Sequence, residues 1–356
     1  MFLKSDQEEK TDPVSSVPWT LMNKDEAIEC MTLNNSKSNV WIAKKSGYVV
    51  ALNIEDGSLL SKQKIFVPQR NKDGQLVLNK HRKSEHFIGI FYDDEKKMLI
   101  SATDTGNVYI LTDSDSNIQK FSLEQDLLCA FRVHPIHSHM LATGGDEREL
   151  CVWDLSKLPN VADMGSKNVI KPIWTSKNVK HDNLDLRVPV WVTAIDWIPS
   201  SPSTLIVGTA FHQIRIYDTS KARRPIFSFE LGKFPIRCLE FMPFSTDLVA
   251  IADNRGQLTL WNTSTQKIAK SFKGIPGTIT NISGAINNPW ITVVGLDRYL
   301  RVFDANTGSC IWKIFLKQRL TSVKVLEKEE KEKDRLWDSI PVVKDISSAS
   351  RKKRKH

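Results

Sequence analysis

The stretch Leu141-Ala-Thr-Gly-Gly-Asp-Glu-Arg-Glu-Leu-Cys-Val-Trp-Asp154 decides the fold. It opens as a short apolar run that ends in Gly144 and Gly145. A polar turn follows at Asp146 and Glu147, and a second run, Leu150 to Trp153, closes on Asp154. Two such runs around a Gly/Asp turn read as an antiparallel hairpin. The pattern recurs at residues 99–112, 205–218, 248–262 and 290–304, and most weakly as Val40-Trp-Ile-Ala-Lys-Lys-Ser-Gly-Tyr-Val-Val-Ala-Leu-Asn53. The copies end at 53, 112, 154, 218, 262 and 304, at intervals of 59, 42, 64, 44 and 42 residues. Three intervals fall in the ~40–45 residue range of a four-stranded propeller blade, and the other two read as the same unit plus insertions of about 16 and 21 residues.

Flanking strands recur at matching places. Residues 127–133, 191–198 and 236–243 read as inner strands before their hairpins, and Ser309-Cys-Ile-Trp-Lys-Ile-Phe315 as an outer strand after one. Many short strands at even spacing indicate an all-β fold, and the period selects a WD40-type β-propeller over a sandwich. The physical reason is burial: a blade has two apolar faces that only neighbouring blades can cover. Six hairpins are visible, and a seventh blade is incomplete. Leu320-Thr-Ser-Val-Lys-Val-Leu326 reads as its inner strand, and Ser16-Val-Pro-Trp-Thr-Leu-Met22 is the only apolar segment at the N-terminus that could help close the ring. The expected organisation is an N-terminal segment at 1–24 with a partial closing strand, a propeller at 25–326 and a charged tail at 327–356.

The 356 residues include 50 Lys and Arg against 41 Asp and Glu, a net charge of +9. The charge is uneven. Residues 61–86 are net +5, residues 167–187 net +3 and residues 351–355 net +5, which leaves the rest at −4. A mildly acidic body with basic appendages suggests contact with a phosphate backbone. Lys62, Lys64, Arg70, Lys72, Lys80, Arg82 and Lys83 are the candidate contacts of the first insertion. Neither insertion interleaves aromatic rings with its cations, so sequence-specific reading of single strands is not indicated there. The run Arg351, Lys352, Lys353, Arg354 and Lys355 follows Ser347-Ser-Ala-Ser350 and reads as a nuclear localisation signal. Leu336 and Trp337 stand out as an apolar pair in a charged tail, either a short docking motif or a segment packing on the propeller.

Cys30, Cys129, Cys151, Cys238 and Cys310 are odd in number and widely spread, which argues against a disulfide framework and for a reducing compartment. The N-terminus shows no signal-peptide h-region and no apolar run is long enough for a membrane span. The sequons at Asn34, Asn262 and Asn281 then carry no glycosylation meaning. Nucleotide-loop, nucleophile-elbow and zinc-protease motifs do not occur. No catalytic, cofactor or metal residue is expected. His134, His137 and His139 lie in a strand-connecting loop, where a metal role is disfavoured. Asp104, Asp146, Asp253 and Asp297 share one turn position in the repeats and read as scaffold.

A more specific likeness comes from Asn183-Leu-Asp-Leu-Arg-Val-Pro-Val-Trp191 with Gly208-Thr-Ala-Phe-His-Gln-Ile-Arg-Ile-Tyr-Asp218 and Arg223-Arg224-Pro225. Gly256-Gln257-Leu258, Lys273-Gly-Ile-Pro-Gly277, Gly295-Leu-Asp-Arg-Tyr-Leu-Arg301 and Asp334-Arg-Leu-Trp-Asp-Ser-Ile340 extend it. Together these resemble the WD repeat-containing protein 74 family, nucleolar WD40 factors of large-subunit ribosome assembly, over roughly residues 26–356. The resemblance implies a seven-bladed propeller and a Lys/Arg-rich tail. It implies a nuclear and nucleolar location, association with pre-60S particle proteins and pre-rRNA, and release by a nuclear AAA-type ATPase. The family's first hairpin has no counterpart before Val40, so a shortened start or a degenerate seventh blade is expected. Asp185, Arg187, Trp191, Arg223, Arg224, Arg298, Leu336 and Trp337 are the partner-binding candidates, Arg offering bidentate contacts to carboxylate or phosphate. Leu186, Val188, Val190 and Trp191 are expected to pack or lead into an inner strand. The functional expectation is a non-enzymatic nucleolar scaffold in 60S subunit biogenesis and pre-rRNA processing that grips protein and RNA through loops. The competing readings are a peptide-reading adaptor, such as a ubiquitin-ligase substrate receptor or chromatin reader, and a propeller enzyme.

Overall fold

A computed structural model describes residues 26–68, 85–112, 115–157, 168–181 and 183–326. They form 24 strands in six sheets of four, each sheet a simple antiparallel meander in chain order. Blade one is β1 (Ile28–Leu33), β2 (Asn39–Lys44), β3 (Tyr48–Asn53) and β4 (Leu59–Lys64). Blade two is β5 (Phe87–Asp93), β6 (Met98–Thr103), β7 (Asn107–Thr112) and β8 (Asp115–Ser122). Blade three is β9 (Leu128–Val133), β10 (Met140–Gly145), β11 (Arg148–Asp154) and the two-residue β12 (Trp174–Thr175). Blade four is β13 (Val192–Trp197), β14 (Thr204–Thr209), β15 (Gln213–Asp218) and β16 (Phe227–Glu230). Blade five is β17 (Ile236–Phe241), β18 (Leu248–Asp253), β19 (Leu258–Asn262) and β20 (Lys267–Phe272). Blade six is β21 (Ile279–Gly284), β22 (Trp290–Gly295), β23 (Tyr299–Asp304) and β24 (Cys310–Phe315).

The middle strands of each blade are buried at nearly every position because both of their faces are covered. In β10 and β11, Leu141, Cys151 and Trp153 pack toward blade two, while Ala142, Leu150 and Val152 pack toward blade four. Similar clusters join blades one and two, four and five, and five and six. Trp153, Trp197 and Trp261 are fully buried. Each removes roughly 200 Å² from water, about 5 kcal/mol at 25 cal/mol per Å². Outer strands β4 and β24 instead alternate exposed and half-buried residues, as edges must.

Tight turns need special backbone. Gly106 joins β6 to β7 at φ +79°, and a Cβ there would stand 1.6 Å from the Gln125 carbonyl oxygen. The turn aspartates hold these ends, but not at one register. Asp253 ends β18 opposite Ile236, whereas Asp104 and Asp146 follow their strands and Asp297 comes one residue later still. Asp253 accepts the N–H groups of Arg255 and Gln257, and Asp104 accepts that of His86.

Every inner strand is bulged near its start, at Glu29, Ile88, Cys129, Thr193, Arg237 and Thr280. Three of these residues reach the first residue of the next inner strand. Glu29 accepts the Phe87 N–H at 2.8 Å, and Thr193 donates to the Ile236 carbonyl at 2.7 Å. Thr280 donates to the Leu320 carbonyl at 2.6 Å, so Leu320 holds the place of Phe87 and Ile236 in a further unit. From there the chain runs along β21: Val323 and Val325 donate N–H to the Asn281 and Ser283 side chains. Leu320 and Val323 pack on blade six, and Leu326 packs on blade one with Val40, Ile42, Val50 and Leu52.

The propeller thus has six complete blades among the described residues. The seven-bladed architecture expected from the resemblance is represented only by this inner-strand segment. Residues 1–24, expected to help close it, lie outside the described residues. The chain divides into two compact units, Met1–Leu326 and Glu327–His356, and the second lies outside them too. Among the described residues no helix is long and apolar enough to cross a membrane.

Candidate interaction surfaces

The partner-binding candidates do not form one patch. In the loop before β13, Asp185 has φ +58° and a side chain 94% exposed, and it bonds the His181 ring at 2.8 Å. Arg187 reaches Glu147 of the β10–β11 turn at 3.0 Å. The loop is pinned there by the Glu147 N–H to the Val190 carbonyl, and Trp191 pairs with Asp146 across an isolated bridge. Val190 packs in the core as expected, but Leu186 is 58% and Trp191 38% exposed. Trp191 leads directly into β13, with its backbone fixed by the bridge to Asp146 and its ring at the surface, while Leu186 stays exposed in the preceding loop.

Arg223 and Arg224 sit elsewhere, in the β15–β16 connection against blade three. Their Nε–H groups donate to the carbonyls of Thr175 at 2.6 Å and Asn178 at 3.3 Å. Arg223 also accepts the Lys177 N–H on its own carbonyl. Both guanidinium groups thus spend part of their donor set on the fold. Arg298, in the β22–β23 turn at φ +69°, is exposed on blade six. Leu336, Trp337 and residues 351–355 fall outside the described residues.

Of the basic-insertion candidates, Arg70, Lys72, Lys80, Arg82 and Lys83 also fall outside them. Lys62 and Lys64 belong to outer strand β4 rather than to a loop, with their ammonium groups 4.8 and 5.7 Å from the Tyr48 ring centre. His134 is buried against Trp197, with Nε2 at 3.2 Å from the Pro202 carbonyl and Nδ1 accepting the N–H groups of Ile136 and His137. Both ring nitrogens therefore serve backbone. Burial, with His137 beside it, holds the ring's pKa below its ordinary value.

The most organised polar group lies in the central channel and was not singled out from the sequence. Arg132 of β9 makes a bidentate contact with Asp196 of β13 at 2.8 and 2.9 Å, and a third contact with Glu240 of β17 at 2.9 Å. Glu240 meets Lys324 at 3.3 Å. Asp196 also accepts the backbone N–H groups of Trp197 and Phe241. Burial opposes the charge on Glu240, but Arg132 and Lys324 overcome it and hold the carboxyl below the usual range. Burial likewise opposes the Arg132 charge, and Asp196 and Glu240 outweigh it.

The signal was present in the sequence. Arg132, Asp196 and Glu240 pair with the third residue of β10, β14 and β18, so they occupy one repeat position. Lys324, between two residues that bond β21 side chains, stands at the matching place of the seventh unit. Four ionisable groups of alternating demand at one position of otherwise apolar strands mark a shared interior. Arg132, Asp196 and Lys324 border a cavity of about 560 Å³ lined also by Met31, Ile90, Phe131 and Met242. The Cys30 thiol faces it with burial pushing its pKa up to about 12, so it is no thiolate nucleophile.

Six meandering four-stranded blades around a shared channel define a WD40-type β-propeller. The chain is 31% identical over 228 residues to WD repeat-containing protein 74 of Homo sapiens, covering 62% of this chain and 56% of that protein. It is 28% identical over 275 residues to ribosome biogenesis protein NSA1 of Meyerozyma guilliermondii, covering 68% of this chain and 67% of that one. Against ribosome biogenesis protein nsa1 of Schizosaccharomyces pombe it is 27% identical over 313 residues, 83% of this chain and 76% of that one. The chain thus spans little more than half the length of the human relative it matches. No protein-family profile matches it. The human relative carries the name of the family that the motifs at 183–191 and 295–301 resemble, and the two fungal relatives are named for ribosome biogenesis.

Proposed function

We propose that this protein is a non-enzymatic scaffold of the nucleolus that takes part in 60S ribosomal subunit biogenesis and pre-rRNA processing. The observation that carries the reading is the similarity, over most of the propeller, to proteins named for ribosome biogenesis. The fold supports it. A propeller offers rigid rim loops on all sides, and weak contacts to protein and RNA add multiplicatively when one rigid body presents them. The channel supports the absence of chemistry: its ionisable groups are spent on each other in Arg132–Asp196 and Glu240–Lys324 pairs. Pre-60S proteins, the pre-rRNA backbone and a nuclear AAA-type ATPase that drives release complete the proposal, supported by the resemblance.

A peptide-reading adaptor is the second reading, favoured by the cavity at the channel, where apolar side chains meet Arg132, Asp196 and Lys324. Affinity capture of the tagged full chain from nuclear extract, with gradient sedimentation and identification of bound protein and RNA, separates the two. Co-sedimentation with large-subunit precursors and their rRNA is expected. Recovery of ubiquitin-ligase or chromatin subunits without rRNA would reject the assembly role.

A further inference from the structure

The rim that joins outer strands to the next inner strands, together with the turns between middle strands, carries two opposite charge fields. Backbone hydrogen bonds brace this rim within each of blades four to six, and the Thr278 hydroxyl donates to the Asn254 carbonyl at 2.7 Å between blades five and six. The Ala210 N–H bonds Trp191, Leu231 bonds His212, Asn254 bonds Pro235, Leu296 bonds Thr278 and Leu316 bonds Arg298, all at 2.7–3.1 Å. On this arc stand Lys233, Arg237, Arg255, Lys273, Arg298 and Arg319, every one exposed. Among the described residues no ion pair engages any of them. Of the carboxylates nearest in the chain, Asp297 holds buried Arg301 at 2.6 Å, Asp253 accepts the backbone N–H groups of Arg255 and Gln257, and exposed Glu230 stands 3.6 Å from the His212 ring. Arg237 is placed there by the β17 bulge, which turns it out of the strand, where Thr193 and Thr280 use the same position to bond the next blade.

The same rim over blades two and three is acidic. Glu85 accepts bonds from Thr103, Thr105, Asn107 and Tyr109, Asp126 pairs with Arg148 and Glu147 with Arg187, and Glu124 and Asp146 add negative charge. The Debye length is about 8 Å at physiological salt, so the two fields act separately. A polyanion is attracted to the first arc and repelled by the second.

Rings accompany the cations. Phe234 is 39% exposed with the Arg255 guanidinium 5.2 Å from its ring centre, and Trp191 opens at the blade-four end of the arc. Exposed rings beside unpaired arginines match a nucleobase and its phosphate, since bases stack on aromatic faces while cations follow the backbone. An acidic peptide would use the charge and leave the rings idle.

We infer that the rim of blades four to six is a binding surface for single-stranded RNA, with Arg237, Arg255, Arg298 and Arg319 on phosphates and Phe234 under a base. This deepens the reading above, resting on its claim of RNA contact, and relocates that contact from the 61–86 insertion to the propeller rim. The test uses purified full chain, so it can fail while association with pre-ribosomal particles stands, and the reverse. Fluorescein-labelled oligouridylate is titrated by anisotropy between 50 and 300 mM KCl, in the usual range for counterion-release measurements, on the order of 0.1 M.

In the variant Arg237→Glu/Arg255→Glu/Arg298→Glu/Arg319→Glu, affinity at about 0.1 M salt falls at least ~10-fold, and the log–log salt slope drops by about 2–3, the equivalent of four single-strand phosphate contacts. The same four positions as Gln give a smaller loss in the same direction and guard against misfolding by charge reversal. Phe234→Ala weakens binding several-fold at unchanged slope. An unchanged affinity in the Gln and Glu sets overturns the inference. So does a loss of equal size in Lys62→Glu/Lys64→Glu, or binding of an oligoglutamate peptide as tight as that of the RNA.

Discussion

Single residues here act mostly by bridging blades, and their effects follow from what they would leave unpaired. Arg132 joins three inner strands through Asp196 and Glu240. Arg132→Ala strands two partly buried carboxylates and should lower stability by about 3 kcal/mol, read from urea unfolding at neutral pH. Arg132→Met with Asp196→Asn should recover part of it, because fewer charges are left without a partner. His134 answers to pH. Its fold favours the neutral ring, so the unfolded chain binds the proton more readily. Stability should therefore decline as pH falls below about 6.5, the unfolded value, toward the lower folded value. His134→Gln should show a shallower loss between neutral and mildly acid pH; equal slopes would remove His134 as the cause. His86 runs the other way. Its bond to Glu29 at 2.5 Å raises its pKa, so that contribution is full below the unfolded value and is lost as pH rises through the folded one. Such residues were hard to find from sequence, because a bridge is a property of two blades and the repeat pattern describes one.

At the scale of elements, turn and strand positions separate what is tolerated from what is not. Gly106→Ala forces a Cβ into the Gln125 carbonyl at a positive φ and should cost about 2 kcal/mol or more, with the β6–β7 hairpin losing amide protection first. The segment 320–326 is the more informative element. Val323→Asp places a carboxylate against Val294, Leu300 and Val302 and should lower the unfolding free energy by about 2 kcal/mol. Ile311→Asp on the exposed side of β24 should change it by less than about 0.5 kcal/mol. Equal effects would show that residues 320–326 do not pack as an inner strand. The six hairpins and their inner strands were legible residue by residue: residues 127–133, 191–198 and 236–243 appear as β9, β13 and β17 with ends trimmed by one or two residues. Strand β12 was not legible, since Trp174 and Thr175 owe their pairing with Val152 and Cys151 to the blade rather than to any pattern of their own.

For the whole molecule, the charge distribution sets the expected behaviour. The run at 351–355 and the basic rim are separate cationic features of one chain. Removing residues 351–356 should move a fluorescently tagged protein from nucleus to cytoplasm while leaving its unfolding midpoint unchanged. Persistent nuclear location would assign targeting to another segment. The candidate site was half legible. Arg187, Trp191 and Arg298 were found as motif residues and do stand on the rim. Arg223 and Arg224 were grouped with them by sequence proximity to the same motif, yet they cap carbonyls against blade three. Lys233, Arg237, Arg255 and Arg319 were passed over, and Lys273 was quoted in a motif without a binding role, because each is one cation in its own repeat and no local cluster marks it.

The sequence by itself determined the repeat: apolar runs of strand length, glycine and aspartate at the turns, and a period that only a ring of blades can bury. Those are short-range properties, set by backbone sterics and by the need to hide both faces of each sheet. Tertiary structure alone decided which charges meet. Stacking the blades brought Arg132, Asp196, Glu240 and Lys324 from four separate units into one channel, and gathered scattered arginines on one arc while acidic residues took another. Coulomb interactions depend on distance through space, and distance along the chain does not report it.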